Sequence, residues 1–317
     1  MFALVESWVW DFWVVDDGER YHLFFLFASK AVRDPEARHH RAAIGHAVSW
    51  DLISWTRVED ALVRSDAPAF DDLAVWTGCT VRHPDGTWLL VYTGTTLVGG
   101  KTVQSIGIAV SDDLVHWDRR GQVLAADPRW YETADQGACK DEGFRDPWIY
   151  PDGDRWRMLI CARANHGPAD DRGVIGTAVS DDLYSWTLEA PLTEPGSGFG
   201  QLEVMEIARI EGRDFLLFNC LADDLSAAHR ATGTTGGVWT IPTKPGAHPW
   251  DPREANLLVG RDLYVGRVVE TRDGDTVFLA FRNFDERGDF VGTITDPQPI
   301  GLVDGVPRLT VREPTAR

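Results

Sequence analysis

Short apolar runs separated by turn residues dominate the chain, and no segment of convincing length has the period of an amphipathic helix. Five pairs of such runs are each joined by an acidic or glycine-containing turn. Asp-Gly between alternating apolar runs is a strong β-hairpin signal, because these residues tolerate the backbone of a tight turn. The predicted hairpins and their turns are 8–27 (Asp16-Asp17-Gly18), 75–92 (Asp85-Gly86), 146–161 (Asp152-Gly153), 203–218 (Glu211-Gly212) and 264–281 (Asp273-Gly274).

A second pattern follows the hairpins and repeats along the chain. Each copy is typical of a strand, a Ser-Asp-type turn and a tryptophan that opens the next strand. The clear copies are 44–55, 106–117 and 175–186, with weaker echoes at 237–240 and 291–294. Equivalent glycines of the clear copies are 62 and then 69 residues apart. The repeated tryptophans, predicted to lie in the core, are Trp55, Trp117 and Trp186.

Hairpin and repeat together form five units of about 60 residues, each with about four strands. Repeated sets of four short strands are typical of propeller blades. We therefore predict an all-β fold, a five-bladed β-propeller with four-stranded antiparallel blades, that occupies residues 1–317 as a single domain without an appended module. The pattern leaves open whether the strand-like segment 303–311 closes the ring or packs outside it.

The formal net charge of −18 argues against nucleic acid or an anionic membrane as a partner, because either would be repelled by an acidic surface. The 14 tryptophans suit β-structure and sugar-facing surfaces, since an indole ring offers a flat apolar face. A soluble protein with a neutral small-molecule or oligosaccharide substrate fits this composition. The composition does not predict an oligomeric state.

No segment has the features of a signal peptide or the length of a membrane-spanning run. The cysteines are widely spaced and lack the close pairs of a zinc site. They are Cys79, Cys139, Cys161 and Cys220. Buried free thiols in a reducing compartment are their expected state, which predicts a cytoplasmic protein. No motif indicates a cofactor or a metal site.

Residues that open the first strand of each blade should meet, because those strands line the axis of a propeller. The openings carry Trp10-Asp11, Trp76-Thr77, Arg145-Asp146, Glu203 and Tyr264. Three of them bear a carboxylate, and carboxylates held together repel one another and cost stability. Such a trio suits glycoside hydrolysis: one carboxylate attacks the anomeric carbon, one carboxyl donates a proton, and a third grips sugar hydroxyls.

Four short motifs resemble those of the levansucrase and invertase clan of five-bladed glycoside hydrolases. They are Val9-Trp10-Asp11-Phe12-Trp13, Trp76-Thr77-Gly78, Phe144-Arg145-Asp146-Pro147 and Leu202-Glu203-Val204-Met205. They are similar, in order, to the nucleophile motif, the Trp-Ser-Gly substrate-binding turn, the Arg-Asp-Pro motif and the Glu-Cys-Pro segment that holds the acid/base. Two departures from the invertase pattern are expected: no carboxy-terminal β-sandwich, and Val-Met where Cys-Pro is usual.

The resemblance implies a retaining enzyme that hydrolyses or transfers terminal β-fructofuranosyl units. It implies Asp11 as nucleophile, Asp146 as stabiliser of the transition state and Glu203 as general acid and then base. Arg145 would keep Asp146 ionised and contact a sugar hydroxyl. The resemblance further implies that the walls of the substrate pocket comprise Trp10, Trp76, Thr77 and Tyr264.

Each role has a structural alternative. Asp11 could cap a turn, and Asp146 could serve only as a salt-bridge partner of Arg145. Glu206 competes with Glu203; we favour Glu203 because strand alternation lets only one of the two face the axis. The histidines at 39, 40 and 166 could bind sugar or a loop. Aspartate pairs at 71–72, 112–113, 170–171 and 181–182 suit turns, with a bound calcium as the alternative.

Two rival functions remain compatible with the same pattern. Arabinan-type five-bladed glycosidases also use two Asp and a Glu, but generally invert the anomeric configuration, with their carboxyls about 6.5–9.5 Å apart rather than about 5–5.5 Å. A carbohydrate-binding propeller would bind sugar without forming product. The anomer first released separates the two enzymatic hypotheses, and product formation separates both from the third.

Overall fold

The computed structural model describes residues 1–136, 141–243 and 250–310, and it confirms the predicted five-bladed β-propeller. Each blade is an antiparallel sheet. In four of the blades the strands pair in sequence order, and in the fifth blade the second strand also pairs with the fourth. The first three blades comprise β1 (Ser7–Asp16), β2 (Tyr21–Ser29), β3 (Ala43–Ser49) and β4 (Thr56–Arg57); β5 (Ala74–Arg82), β6 (Trp88–Val98), β7 (Lys101–Ser111) and β8 (Asp118–Ala125); β9 (Phe144–Asp152), β10 (Arg155–Arg163), β11 (Gly173–Ser180) and β12 (Thr187–Glu189).

The fourth blade is regular, and the fifth has one strand more. The strands are β13 (Glu203–Ile210), β14 (Arg213–Cys220), β15 (Gly237–Pro242) and β16 (Asn256–Gly260); β17 (Leu263–Glu270), β18 (Thr276–Phe284), β19 (Phe290–Ile294), β20 (Gln298–Val303) and β21 (Val306–Leu309). Helical turns are short: 3-10 turns at Lys30–Val32, Pro35–Arg41, Ala222–Asp224 and Pro252–Glu254, and one α-helical turn, α1, at Ala227–Arg230. None of the helices in the described residues has the length and apolar character needed to cross a membrane.

The five predicted hairpin turns are present and use their glycines as the pattern requires. Gly18, Gly86, Gly153, Gly212 and Gly274 all have positive φ angles, between 63° and 101°. A left-handed backbone is free of steric cost only for glycine, so the turn sequence sets where each inner hairpin reverses.

The repeated pattern Ser-x-Asp-Leu-x-x-Trp, in which x is any residue and which is called the Ser-Asp-Leu-Trp segment below, forms the same turn structure in three blades. In the first blade, Ser49 and Asp51 hydrogen-bond through their side chains at 2.9 Å, and Asp51 accepts the N–H groups of the next turn. Leu52 has a φ of 62°, and the Trp55 indole N–H donates to its carbonyl oxygen. Trp55 and its equivalents are half-buried and pack against the core, so the repeat ends the third strand of these three blades in one defined geometry.

The ring closes through the amino-terminal residues. The first strands of adjacent blades contact one another around the axis, and β1 also contacts β17. Phe2 forms a two-way backbone bridge with Ile294 of β19, with both N···O distances at 2.9 Å. As far as it is described, the segment 303–311 forms the last residue of β20 and the strand β21; β21 pairs with β20, and β20 pairs with β18. That segment therefore adds to the fifth blade, while Phe2 joins the two ends of the ring.

The second strands of the first two blades contain continuous apolar runs instead of alternating, because neighbouring blades cover both faces of each sheet. Residues Leu23 to Leu26 of β2 are all almost fully buried, and so are Leu89 to Tyr92 of β6. Cys79, Cys161 and Cys220 are free and buried, whereas Cys139 lies outside the described residues. The packed sheets thus form a large apolar core, and this core fixes the position at which the first strand of each blade begins.

A buried histidine pair in the first blade gives stability a specific pH dependence. His46 stacks between His22 and Phe24, and His22 joins the His46 ring nitrogen to the Asp17 carboxylate at 2.9 Å on each side. Burial lowers the pKa of His46 from 6.5 to about 3. Between these values the unfolded chain takes up a proton that the folded chain refuses, so this histidine makes stability fall as pH falls below about 6.5.

We expect His46→Gln to reduce this acid sensitivity, because glutamine keeps a partner for His22 but does not titrate. Linkage at a single site amounts to about 2 kcal/mol between pH 7.5 and pH 5. Denaturant unfolding at both pH values measures it. An equal loss of stability on acidification in the wild type and in His46→Gln would contradict the assignment.

Candidate active site

A cavity of about 460 Å³ opens where the five inner strands come together. All eight residues predicted to form the site line it: Trp10, Asp11, Trp76, Thr77, Arg145, Asp146, Glu203 and Tyr264. They come from β1, β5, β9, β13 and β17, the first strand of every blade. Residues up to 254 positions apart therefore share one chamber because the blades repeat around one axis.

Every inner strand carries a β-bulge at the cavity, which sequence reasoning did not predict. The register with the second strand shifts between Trp10 and Phe12, and at the equivalent place in the other four blades. Four bulges contain a non-glycine residue with positive φ: Asp11 (27°), Asp146 (58°), Val204 (47°) and Val265 (50°). Bulges turn side chains out of the alternating pattern, and such backbone costs about 1–3 kcal/mol at each residue. The irregular backbone is concentrated where the carboxylates meet.

The bulges correct the expectation that the carboxylates lie at strand openings. Glu203 begins β13 and Asp146 is the third residue of β9, but Asp11 is the fifth residue of β1. The additional residues at the start of β1 pair with the end of β2, as in the pair of Ser7 with Ser29. It is the bulge, which recurs in all five strands, that makes the positions equivalent.

Buried polar side chains from second strands stabilise the bulged backbone. Thr93 of β6 accepts the N–H of Asp146 at 2.9 Å and donates to the carbonyl of Thr77 at 3.0 Å. Asn219 of β14 donates to the carbonyls of Glu203 and Val204, and accepts the N–H of Gly266. A polar residue inside an apolar strand was the available sequence signal for both.

Gly78 is required by the close approach of two strands. A Cβ at this position would lie 2.0 Å from the carbonyl oxygen of Val91 in β6. The glycine of the Trp76-Thr77-Gly78 motif therefore lets the bulge form. Its neighbours carry the side chains that reach the cavity.

Asp11 is held by a neutral donor in a cavity that also contains other acids. The Thr77 hydroxyl donates to Asp11 Oδ2 at 2.5 Å. Burial is the main cause that raises the pKa of Asp11, to about 6; Glu203 adds to the rise, while Thr77, Arg38 and Arg267 oppose it. Asp11 is therefore mostly ionised at neutral pH, and its carboxylate is poorly solvated.

Asp146 is almost fully buried and lies beside an arginine. Its Oδ2 accepts the N–H of Val204 at 3.2 Å and lies 3.5 Å from Nε of Arg145. Burial raises the pKa of Asp146 to about 7, and the negative charges of Asp11 and Glu203 act in the same direction against Arg145. Asp146 is thus an ion-pair partner of Arg145, as the structural alternative proposed, and it also lines the cavity.

Both oxygens of Glu203 have a donor. Arg145 Nη2 donates to Oε1, and the Tyr264 hydroxyl donates to Oε2 at 2.5 Å. Burial is the first cause that raises the pKa of Tyr264 well above its usual range, so the phenol stays a donor. Tyr264, expected as a wall of the pocket, therefore also fixes the orientation of the Glu203 carboxyl.

Glu206 lies outside the cavity, but not for the reason the sequence suggested. The bulge places Glu203 opposite Asn219 and Glu206 opposite Leu217, so both glutamates lie on one face of the sheet and strand alternation does not separate them. Depth along the axis separates them instead. Glu203 lines the cavity, whereas Glu206 is buried and pairs with Arg267 at 3.5 Å.

The 3-10 segment Pro35–Arg41 covers one side of the cavity and adds residues that the motifs did not indicate. Arg38, His39 and His40 line the cavity. The Trp76 indole donates to the carbonyl of His39 at 2.7 Å, and the guanidinium of Arg38 stands over the rings of Trp10 and Phe290. No sequence motif indicated a role for this segment, because backbone and ring contacts hold it in place.

Other residues considered from the sequence lie elsewhere. His166 is exposed and 3.6 Å from Glu194. Asp71 is buried and accepts the Tyr92 hydroxyl, while Asp113 and Asp182 cap turns. Within residues 1–136, 141–243 and 250–310, no three His, Cys, Asp or Glu side chains are grouped so as to hold a metal ion.

Comparison with known proteins gives a consistent family. The chain is 25% identical over 282 residues to sucrose-6-phosphate hydrolase of Zymomonas mobilis, which covers 82% of this chain and 52% of that protein. It is 26% identical over 278 residues to raffinose invertase of Escherichia coli, covering 83% of this chain and 52% of that protein. The chain thus spans about half the length of these curated relatives.

Solved structures share the fold. Inulosucrase from Halalkalicoccus jeotgali bound to kestose superposes with a TM-score of 0.76 at 19% identity, over 97% of this chain and 88% of that one. A Bombyx mori β-fructofuranosidase gives 0.73 at 21% identity, over 98% of this chain and 64% of that one.

The family model described as the glycosyl hydrolases family 32 N-terminal domain matches residues 13–294. This segment holds all the cavity-lining residues except Trp10 and Asp11, and it begins two residues after Asp11. The two residues outside the match belong to β1, where Asp11 accepts a hydrogen bond from Thr77 and so joins the other cavity residues. From the extent of this match, the chain belongs to glycosyl hydrolase family 32.

Proposed function

We propose that this chain hydrolyses or transfers terminal β-linked fructofuranosyl units by a retaining mechanism. The observation that carries the proposal is the meeting of Asp11, Asp146 and Glu203 in one cavity, each with a different set of hydrogen-bond partners. Membership of family 32 supports the reaction class. The names of the relatives, a sucrose-6-phosphate hydrolase and a raffinose invertase, support a fructoside as substrate.

In the first step, an oxygen of Asp11 attacks the anomeric carbon of the fructosyl unit. The bond to the leaving oxygen breaks as Glu203 gives that oxygen its proton, which leaves a covalent fructosyl-Asp11 ester. The Thr77 hydroxyl holds one Asp11 oxygen and leaves the other for the attack. Poor solvation of this carboxylate favours its use as a nucleophile.

In the second step, Glu203 takes a proton from water or from a sugar hydroxyl, whose oxygen then attacks the same carbon and frees Asp11. Arg145 and Tyr264 hold the Glu203 carboxyl in one orientation through both steps. Asp146 grips sugar hydroxyls and stabilises the oxocarbenium charge that develops on the ring. Trp10 and Trp76 supply apolar surface to the cavity.

The buried free thiols of Cys79, Cys161 and Cys220 support a reducing environment, and we propose the cytoplasm as the site of action. The proposed partner is a sugar or an oligosaccharide, with no nucleic acid.

Incubation with sucrose, sucrose 6-phosphate, inulin, levan and arabinan tests the substrate class. We expect fructose or a fructosylated acceptor, formed with retention of anomeric configuration by NMR in the first turnovers. Release of arabinose, or release with inversion, would favour the arabinan-type alternative. Sugar binding without any product would favour a binding module.

Replacing Asp11 by asparagine should abolish turnover and spare the fold. We expect kcat to fall by about 10⁴-fold or more, because the covalent step loses its nucleophile. The same change should raise stability at pH 7.5 by about 1–2 kcal/mol, because it removes a carboxylate whose ionisation the folded state disfavours. Steady-state kinetics and denaturant unfolding measure the two effects. Near-normal turnover in Asp11→Asn would overturn the assignment.

The pH profile should show where the carboxylates titrate. We expect kcat/KM to decrease as the pH falls from about 7 to about 6, and this decrease is the acid limb of the profile. The cause is that Asp11 and Asp146, whose pKa values are raised to about 6 and about 7, take up protons there. Thr77→Val removes a hydroxyl that favours ionised Asp11, so the limb should move to higher pH. A limb near the ordinary carboxylate range, below about pH 4.5, would count against the buried trio.

A further inference from the structure

A buried arginine lies outside the cavity lining but contacts the strands behind it. Arg267 of β17 is 3% exposed. Its Nε donates to the carbonyl of Phe12 at 2.9 Å, and its Nη1 donates to the carbonyl of Met205 at 3.1 Å. Its guanidinium carbon stands 5.2 Å from the centroid of the Trp148 ring. One side chain of the fifth blade thus contacts three other blades.

The three contacted residues share a position relative to the carboxylates. Phe12 follows Asp11 directly, Trp148 is two residues after Asp146, and Met205 is two residues after Glu203. Phe12 and Trp148 resume the regular register after their bulges, and Met205 lies within its bulge. Arg267 therefore contacts each of the three bulged strands immediately behind its carboxylate.

The charge of Arg267 has a dedicated counter-ion. Glu206 Oε2 lies 3.5 Å from Nη1, and Glu206 Oε1 accepts the N–H of Val268 at 3.3 Å. A buried ion pair is costly to desolvate, and apolar side chains of similar volume often stabilise a protein as well or better. Core filling alone therefore does not explain an arginine here, whereas a task that needs both a fork of donors and a positive charge does.

We propose that Arg267 is a positioning residue for the reaction: it holds the three carboxylate-bearing bulges in fixed relation and places a positive charge behind Asp11. The inference rests on the proposed function, since it assumes that Asp11, Asp146 and Glu203 act together. Arg267 touches no cavity surface and acts through the backbone of β1 and β13 and the ring of Trp148.

Several groups set the ionisation of Asp11, and Arg267 is one of them. From β5 the Thr77 hydroxyl favours the ionised form, and so do the guanidinium of Arg38, from the 3-10 segment, and that of Arg267. Glu203 of β13 opposes ionisation, and Asp146 of β9 interacts with Asp11 as a like charge. Loss of the Arg267 charge should therefore raise the pKa of Asp11.

Three variants separate geometry from charge. Arg267→Lys keeps the charge but cannot make the three contacts at once, so kcat should fall about 100-fold, the cost of a displacement of about 1 Å, while the acid limb stays in place. Arg267→Met removes both, so kcat should fall at least as far and the limb should move to higher pH. Glu206→Gln removes a carboxyl whose pKa burial raises to about 7, so it changes the charge beside Arg267 mainly above the acid limb, and the limb should move little.

Arg119→Met is the matched control. Arg119 lies in β8, the outermost strand of the second blade, and pairs with the buried Asp71 at 3.2 Å. This variant should lower the free energy of unfolding without changing kcat or the acid limb. Each variant is assayed below its own unfolding transition, with active sites counted by fluorescence titration with substrate, so that loss of folded protein is not mistaken for loss of turnover.

The outcomes are distinguishable. If Arg267→Lys lowers only stability, with kcat within about threefold of the wild type, and the limb is unmoved in Arg267→Met, Arg267 is merely structural and the inference is overturned. If the wild type turns over no fructoside, the proposed function fails instead. Should Arg267→Met not fold, the lysine variant still decides, because the inference predicts that its kcat falls while its acid limb stays in place.

Discussion

The packing of three carboxylates into one poorly solvated chamber is the constraint on which the rest of the site depends. Desolvation penalises each negative charge, and like charges penalise one another, so the group is tolerable only with donors placed around it. Arg145 lies between Asp146 and Glu203, and the hydroxyls of Thr77 and Tyr264 each hold one further oxygen. The bulged backbone that aims these side chains adds its own strain.

Two titrating systems act on stability in opposite directions. The carboxylates of Asp11 and Asp146 have raised pKa values, so their contribution improves as pH falls from neutrality. His46 has a lowered pKa and loses stability over the same range. The first system lies at the cavity and belongs to the proposed reaction, while the second lies in the core of the first blade. Stability at the site is therefore lowest where the proposed nucleophile is ionised, a common relation between activity and stability.

Much of the fold could be predicted because it repeats. Five Asp-Gly or Glu-Gly turns and three copies of the Ser-Asp-Leu-Trp segment define the blades by local chemistry alone. The eight cavity residues on the first strands of the blades also followed, since equivalent positions in a ring converge. The bulges did not follow, because register shifts depend on pairing with a distant strand. For the same reason Thr93, Asn219 and Arg267 passed unnoticed: their partners lie in other strands or blades.

The bridge between Phe2 and Ile294 has a consequence for the order in which the molecule assembles. These two residues are nearly the whole chain apart, so their pairing carries a large loop-closure entropy. Sheets built from neighbouring strands can form early from local contacts, but the first sheet keeps an open seam until residue 294 has left the ribosome. During synthesis the blades therefore form first as an open, incomplete ring. The cavity that contains the acidic side chains forms only when the two ends of that ring pair.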